Sequence, residues 1–206
     1  SGRVITGPEH SYGVPEEAVA GMLIESPPEE ASLAQPELVV WNLATHQVQC
    51  RVSAAGYYLS LLASSGAVFA WSGGTGGVHI SDATTCADRQ RLASPLPQQQ
   101  SGALPVAAFS PDGQRLAVAT TQADVPGDQI RVQVMDITTG TTQTIVTTTD
   151  LPVETMVWAG GNRLFWLYGG PFAGPTLVGT WNVSDSRPQV LRITTLNVGP
   201  PLLAGF

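Results

Sequence analysis

The sequence predicts an all-β fold of repeated four-stranded units, and three observations carry that prediction. The first is a tight-turn phrase that returns about every 48 residues. Its clearest copy is Phe109-Ser110-Pro111-Asp112-Gly113-Gln114-Arg115-Leu116. Val157-Trp158-Ala159-Gly160-Gly161-Asn162-Arg163-Leu164 repeats the frame, Leu62-Ala63-Ser64-Ser65-Gly66 is a worn copy, and Val14-Pro15-Glu16-Glu17-Ala18 also fits. The turn positions Glu17, Gly66, Gly113 and Gly161 stand 49, 47 and 48 residues apart. The second is a strand phrase between those turns that always closes on Asp or Asn: Val39-Val40-Trp41-Asn42, Val78-His79-Ile80-Ser81-Asp82, Val132-Gln133-Val134-Met135-Asp136 and Val178-Gly179-Thr180-Trp181-Asn182. The third is alternation of apolar residues with β-branched enrichment, the pattern of strands rather than helices. A fixed period of this length filled with short strands is the signature of a β-propeller.

Taken in order, each unit is an antiparallel meander of strands A to D. Blade one is expected at about 9–52, blade two at 57–92, blade three at 104–147 and blade four at 153–194. Blade three shows the division most plainly: A is Val106-Ala107-Ala108-Phe109, B spans 115–120, C spans 130–136 and D spans 142–146. The Asp or Asn closing each C strand can accept hydrogen bonds from backbone amides two residues on, which fixes the next turn. One blade cannot bury both faces of its sheet, so blades stack and the contacts between them form the core. Trp41, Trp71, Trp158, Trp166 and Trp181 fall on strands at those contacts, and core is the expected role ahead of a ligand cage. At the chain ends, Arg3-Val4-Ile5-Thr6 resembles the close of a D strand, and Leu202-Leu203-Ala204-Gly205-Phe206 resembles the A strand that ends in Phe109. The expectation is a single propeller segment of about four complete blades, with 1–6 ending a preceding D strand and 198–206 starting a following blade. Such a segment belongs to a larger ring of six to eight blades; an unusual small ring or open array is the other reading.

Phe109-Ser110-Pro111-Asp112-Gly113, taken with Val134-Met135-Asp136-Ile137-Thr138-Thr139-Gly140, resembles a repeat of the WD40 or TolB-like propeller families. Trp41-Asn42 and Trp181-Asn182 stand where the Trp-Asp pair of WD40 repeats would fall. The resemblance spans nearly the whole chain and is strongest in blade three. The Gly-His pair of WD40 repeats does not occur, so the repeats are degenerate. What the resemblance implies is the fold; it specifies no activity.

Composition narrows the function classes. The chain of 206 residues is 43% hydrophobic and 12% charged, enough to bury a core, and no run nears the ~18 apolar residues of a membrane span. It starts without the pattern of a signal peptide, which leaves a mature secreted chain, a cut chain and a cytosolic one all open. Lysine is absent and all nine basic residues are arginine, which reads as GC-rich codon usage. Together with the many threonines and the TolB-like resemblance, this leans toward a bacterial cell envelope. Seven of the eight glutamates lie in the first 37 residues against one arginine, so that stretch carries −6 of the net −7. An acidic chain with no basic face is a poor partner for nucleic acid, whose affinity comes mainly from phosphate neutralisation. Cys50 and Cys86 match no metal spacing. They fall near opposite ends of neighbouring outer strands, so two separate buried thiols are expected rather than a bridge.

In an A-B-C-D meander the A–B and C–D turns share one end, and the B–C and D–A connections share the other. The first set is short and uniform in sequence and the second is long and irregular, which makes the second the expected partner-binding face. Three segments on it stand out. Glu25-Ser26-Pro27-Pro28-Glu29-Glu30 is acidic and proline-stiffened, suited to a basic patch on a partner, with a merely solvated loop as the plainer reading. Tyr168 and Phe172, around Pro171, put aromatics on a Gly/Pro loop where an apolar anchor can form, or can fold back onto a blade. Asp124 and Asp128 flank Pro126-Gly127, but two carboxylates are too few for the six to eight oxygens of calcium, and a plain hairpin is expected.

The sequence carries no recognisable catalytic motif. No Gly-x-Ser-x-Gly elbow occurs. Ser72-Gly73-Gly74-Thr75-Gly76-Gly77 joins two strands and has no lysine, so it is a wide turn and not a phosphate loop. His10, His46 and His79 form no metal spacing. The expectation is a non-catalytic interaction or scaffold propeller without cofactor or metal, whose protein partners use the B–C/D–A face. The alternative is an enzyme or small-ligand binder whose central-channel site needs further blades. A purely structural subunit, with other chains covering open blade edges, is a third reading.

Overall fold

The computed structural model describes residues 14–19, 21–26, 36–54, 59–73, 77–92, 105–122, 129–148, 152–169, 176–185 and 187–193. Among them there is no helix, only sixteen strands in four antiparallel four-stranded sheets. Blade one is β1 (Val14–Val19), β2 (Met22–Ser26), β3 (Glu37–Asn42) and β4 (Gln47–Ser53). Blade two is β5 (Leu59–Ser65), β6 (Val68–Gly73), β7 (Val78–Asp82) and β8 (Asp88–Leu92). Blade three is β9 (Val106–Phe109), β10 (Arg115–Gln122), β11 (Gln129–Asp136) and β12 (Thr142–Thr148). Blade four is β13 (Val153–Ala159), β14 (Arg163–Tyr168), β15 (Thr176–Asn182) and β16 (Gln189–Ile193). In every sheet the strands pair in chain order, so each blade is a meander of β-propeller type.

The burial pattern follows from stacking. A middle strand has neighbours on both faces, and Val68, Phe69, Ala70, Trp71, Ser72 and Gly73 of β6 are all buried. An outer strand has one covered face: β4 runs exposed except for Cys50 and Val52, and β8 ends on a buried Leu92 after a mostly exposed run. This is why the B strands are near-continuous apolar runs while the D strands carry Gln, Arg and Thr. Pro15 sits inside β1 because β1 is an edge strand of its sheet, where a residue with no N–H to give is tolerated, and the register slips just after it at Glu16.

The chain divides into two compact units, Ser1–Pro95 and Leu96–Phe206. In the first, Met22, Ile24, Leu38 and Val40 of blade one pack with Leu59, Phe69 and Trp71 of blade two. In the second, Ala117, Ala119, Ile130, Val132 and Val134 of blade three pack with Met156, Trp158, Leu164, Trp166, Tyr168 and Trp181 of blade four. Trp158 Nε1 donates to the Ala108 carbonyl at 3.1 Å, so a ring that fills the gap between two blades also ties them by a hydrogen bond. Gly179 makes room for the Trp166 ring. A Cβ there would lie 1.9 Å from Trp166 Cε2, and only a bare backbone lets the indole lie flat on β15.

Candidate functional site

The two ends of each blade differ in kind. At the A–B/C–D end the chain is held by local hydrogen bonds. Asn42 Oδ1 accepts from the amides of Ala44 (2.9 Å) and Thr45 (3.1 Å), Asp82 Oδ1 from Thr84 (2.8 Å) and Thr85 (3.2 Å), and Asp136 Oδ1 from Thr138 (2.9 Å) and Thr139 (2.8 Å). In blade four Asn182 Oδ1 takes the Ser184 hydroxyl at 2.9 Å. These Asx turns are what the closing Asp or Asn of each C strand predicts. Where the residue is Asp, the bonds favour the carboxylate. The Thr84 hydroxyl, then its amide and Arg89, hold Asp82 down to about 2, against partial burial. Asp112 is lowered by the Ser110 hydroxyl first and then the Gln114 amide; Asp136 is lowered first by the Thr139 amide. Arg115 crosses from blade three to the A–B turn of blade four, donating to Asn162 Oδ1 at 2.6 Å and to the Gly161 carbonyl at 3.3 Å.

Four residues after the Asx residue, the first three blades share one further feature. His46, Cys86 and Gly140 each donate their amide to the carbonyl of Asn42, Asp82 and Asp136 at 2.8 Å, and have φ of 56°, 57° and 70°. This left-handed position suits glycine. Cys86 occupies it and is bonded to Cys50, with 5.8 Å between the Cα atoms. The expectation of two separate thiols is therefore corrected. Cys50 lies in the middle of β4, not at its end, and packing of the first two blades sets the C–D turn of blade two beside it. Gln49 Nε2 donates to the Thr84 carbonyl at 2.8 Å across the same contact. A cysteine at a position that blade three gives to glycine was the available signal in the sequence.

At the B–C/D–A end the connections differ widely in length. The B–C connections cover positions 27–36, 74–77, 123–128 and 169–175, that is ten, four, six and seven residues; the D–A connections cover 54–58, 93–105 and 149–152, that is five, thirteen and four. The C–D connections, by contrast, are all four to six residues. Of the residues singled out by sequence, Glu29, Glu30, Asp124, Asp128, Pro171 and Phe172 lie outside the described residues. Glu25 is within β2, not in a loop; it is 5% exposed and accepts the Trp41 Nε1 proton at 2.8 Å. Tyr168 ends β14 with its ring 1% exposed, packed edge-on against Trp166 with centroids 6.2 Å apart. Both are roots from which the connections 27–36 and 169–175 leave, and as folded their side chains are turned into the protein. Next to Tyr168, Gly169 donates its amide to the Pro152 carbonyl, and the Glu154 carboxylate lies 2.1–2.3 Å from where a Gly169 Cβ would be.

One polar network was not foreseen. His79 stacks on Trp71 with centroids 4.1 Å apart and 15° between planes, and its Nδ1 lies 2.7 Å from Asp88 Oδ2. Ser81 Oγ donates to Asp88 Oδ1 at 2.7 Å and accepts from Trp71 Nε1 at 2.9 Å. The two strands β7 and β8 supply three of the four residues, so the network depends on cross-strand register that single-residue reading does not give. It satisfies a buried indole N–H and holds His79 in place. Ser81 is fully buried and donates to the carboxylate, not to the imidazole, so it is not an activated nucleophile. Among the described residues no group of three His, Cys, Asp or Glu is placed to hold a metal ion, and no helix is long and apolar enough to cross a membrane.

No protein-family model matches the chain, and no curated protein matches it. Solved structures do. TolB from Acinetobacter baumannii aligns over 84% of this chain and 41% of its own, with 17% identity and a TM-score of 0.52. A chain of the Mitotic Checkpoint Complex aligns over 86% and 50%, with 14% identity and a TM-score of 0.58. A chain from a study of two prolyl endopeptidases aligns over 95% and 30%, with 17% identity and a TM-score of 0.61. The chain spans half or less of the length of these three. At such identities the likeness is one of fold, and the fold is that of β-propeller blades.

Proposed function

We propose that this chain is a non-catalytic, protein-binding part of a propeller, with the partner held by the B–C and D–A connections. The observation that carries the reading is the contrast between the blade ends. C–D turns of four to six residues repeat one hydrogen-bonding device, whereas connections at the other end range from four to thirteen residues. Rigid, repeated blades that present dissimilar loops are a common platform for recognition. In this reading Pro171 and Phe172 supply an apolar contact and Glu29 and Glu30 an acidic one, with Asp124 and Asp128 on the neighbouring connection. Glu25 and Tyr168 act as the buried anchors of those loops. The likeness to a chain of the Mitotic Checkpoint Complex, a protein assembly, supports a role of this kind.

The likeness to prolyl endopeptidases favours a second reading, in which the blades belong to an enzyme and a central-channel site is completed by other parts of it. Affinity capture from the native source, followed by chemical cross-linking, separates the two. Replacement of 27–35 or 170–175 by short Gly/Ser segments removes the partner under the first reading. Retention of every partner and cross-link after both replacements sinks it.

A further inference from the structure

We propose that the free edge of β12 is a self-association surface, where a second copy of this chain adds its own β12 antiparallel to form a continuous eight-stranded sheet. β12, Thr142-Gln143-Thr144-Ile145-Val146-Thr147-Thr148, is the D-strand edge of its sheet and, among the described residues, pairs with β11 alone. An unpaired strand edge offers a row of N–H and C=O groups to any other strand, and proteins ordinarily blunt it with charge. The other D strands do so. β4 carries Arg51, ion-paired with Glu37; β8 carries Asp88, Arg89 and Arg91, with Arg89 on Asp82; β16 carries Arg192. Of the four D strands, β12 alone has no charged residue and no proline.

Its side chains suit a copy of itself. Ile145 is buried in the core, while Thr142, Gln143 and Thr144 are exposed and Val146 is 50% exposed, the largest exposure of a big apolar side chain among the described residues. A two-fold axis through Ile145 sets Thr142 opposite Thr148, Gln143 opposite Thr147 and Thr144 opposite Val146. Thr–Thr and Thr–β-branched pairs across neighbouring strands are favourable, and no like charges meet. A two-fold contact uses the same patch on both copies and closes at two, so it does not propagate into fibres. The surface lies on the outer strand, apart from the loop end proposed for a partner, and does not depend on that reading.

Sedimentation equilibrium on the full chain across micromolar to submillimolar concentrations tests it. The wild type is expected to weigh twice its chain mass. Val146→Lys and, independently, Thr142→Lys are expected to be monomers at the same concentrations, with unchanged far-UV circular dichroism. Val48→Lys, at the exposed valine of β4, is expected to remain a dimer. A wild type that is monomeric throughout overturns the proposal. So does a dimer that survives both lysines on β12, or one that Val48→Lys dissolves.

Discussion

His46, Cys86 and Gly140 occupy one left-handed position in three successive C–D turns, and only glycine adopts it without penalty. A side chain there costs about 1–2 kcal/mol against the following carbonyl, less the ~0.5–1 kcal/mol that glycine loses in chain entropy on folding. His46 is exposed and its ring makes no hydrogen bond among the described residues, so His46→Gly is expected to raise stability by about 0.5–1 kcal/mol in urea denaturation. Unchanged or lowered stability would show that the histidine is held by something other than the turn. Cys86 tolerates the same position because its side chain is tied to Cys50. At this scale the sequence was informative wherever the physics is local. An Asp or Asn bonding two residues ahead is legible from spacing alone, as at Asn42, Asp82 and Asp136. The pairing of Cys50 with Cys86, and the Trp71–Ser81–Asp88–His79 network, depend on which strands meet and in what register, and spacing does not supply that.

At the scale of the element, the A–B and C–D turns set how the blades respond to acid. The folded carboxyl of Asp82 is held at about 2 against an ordinary 3.8, and Asp112 and Asp136 are lowered as well. A carboxylate depressed on folding stabilises above its unfolded pKa, and that contribution is lost as pH falls through the folded one. Thermal stability is therefore expected to be level above about pH 5 and to fall between about pH 4 and pH 2. Asp82→Asn keeps an acceptor for the turn and removes the titration, so its melting temperature should fall less steeply over that window. An equal slope in both proteins would place acid sensitivity elsewhere. The bridge between blades one and two acts on the same turn. Its cysteines are 36 residues apart, and the chain-entropy estimate for closing such a loop is about 3–4 kcal/mol. Reduction should lower the urea midpoint accordingly, and equal midpoints with and without reductant would mean the bridge does not form. The strands themselves were readable because alternation and turn phrases repeat. The bulges at Glu16, Leu62 and Glu154 were not, since a bulge answers to twist and to the neighbouring strand rather than to its own residue.

At the scale of the whole molecule, a 48-residue period translated correctly into propeller blades because a repeat is one packing solution used again. The same repetition hides function, since what repeats is what holds the blades. Glu25 and Tyr168 illustrate the difficulty: both sit in segments that look loop-like by composition, yet the strands extend far enough to carry them inside. What distinguishes this chain lies in the connections that do not repeat. The most direct measurement is a matched pair of grafts, assayed by capture of the same cross-linked partner. One graft replaces the connections 27–35 and 170–175; the other replaces the C–D turns at 43–46 and 137–141 with a consensus Asx turn. The partner is expected to be lost with the first graft and kept with the second. A partner kept by the first and lost with the second would contradict this expectation and move the binding face to the uniform end of the blades.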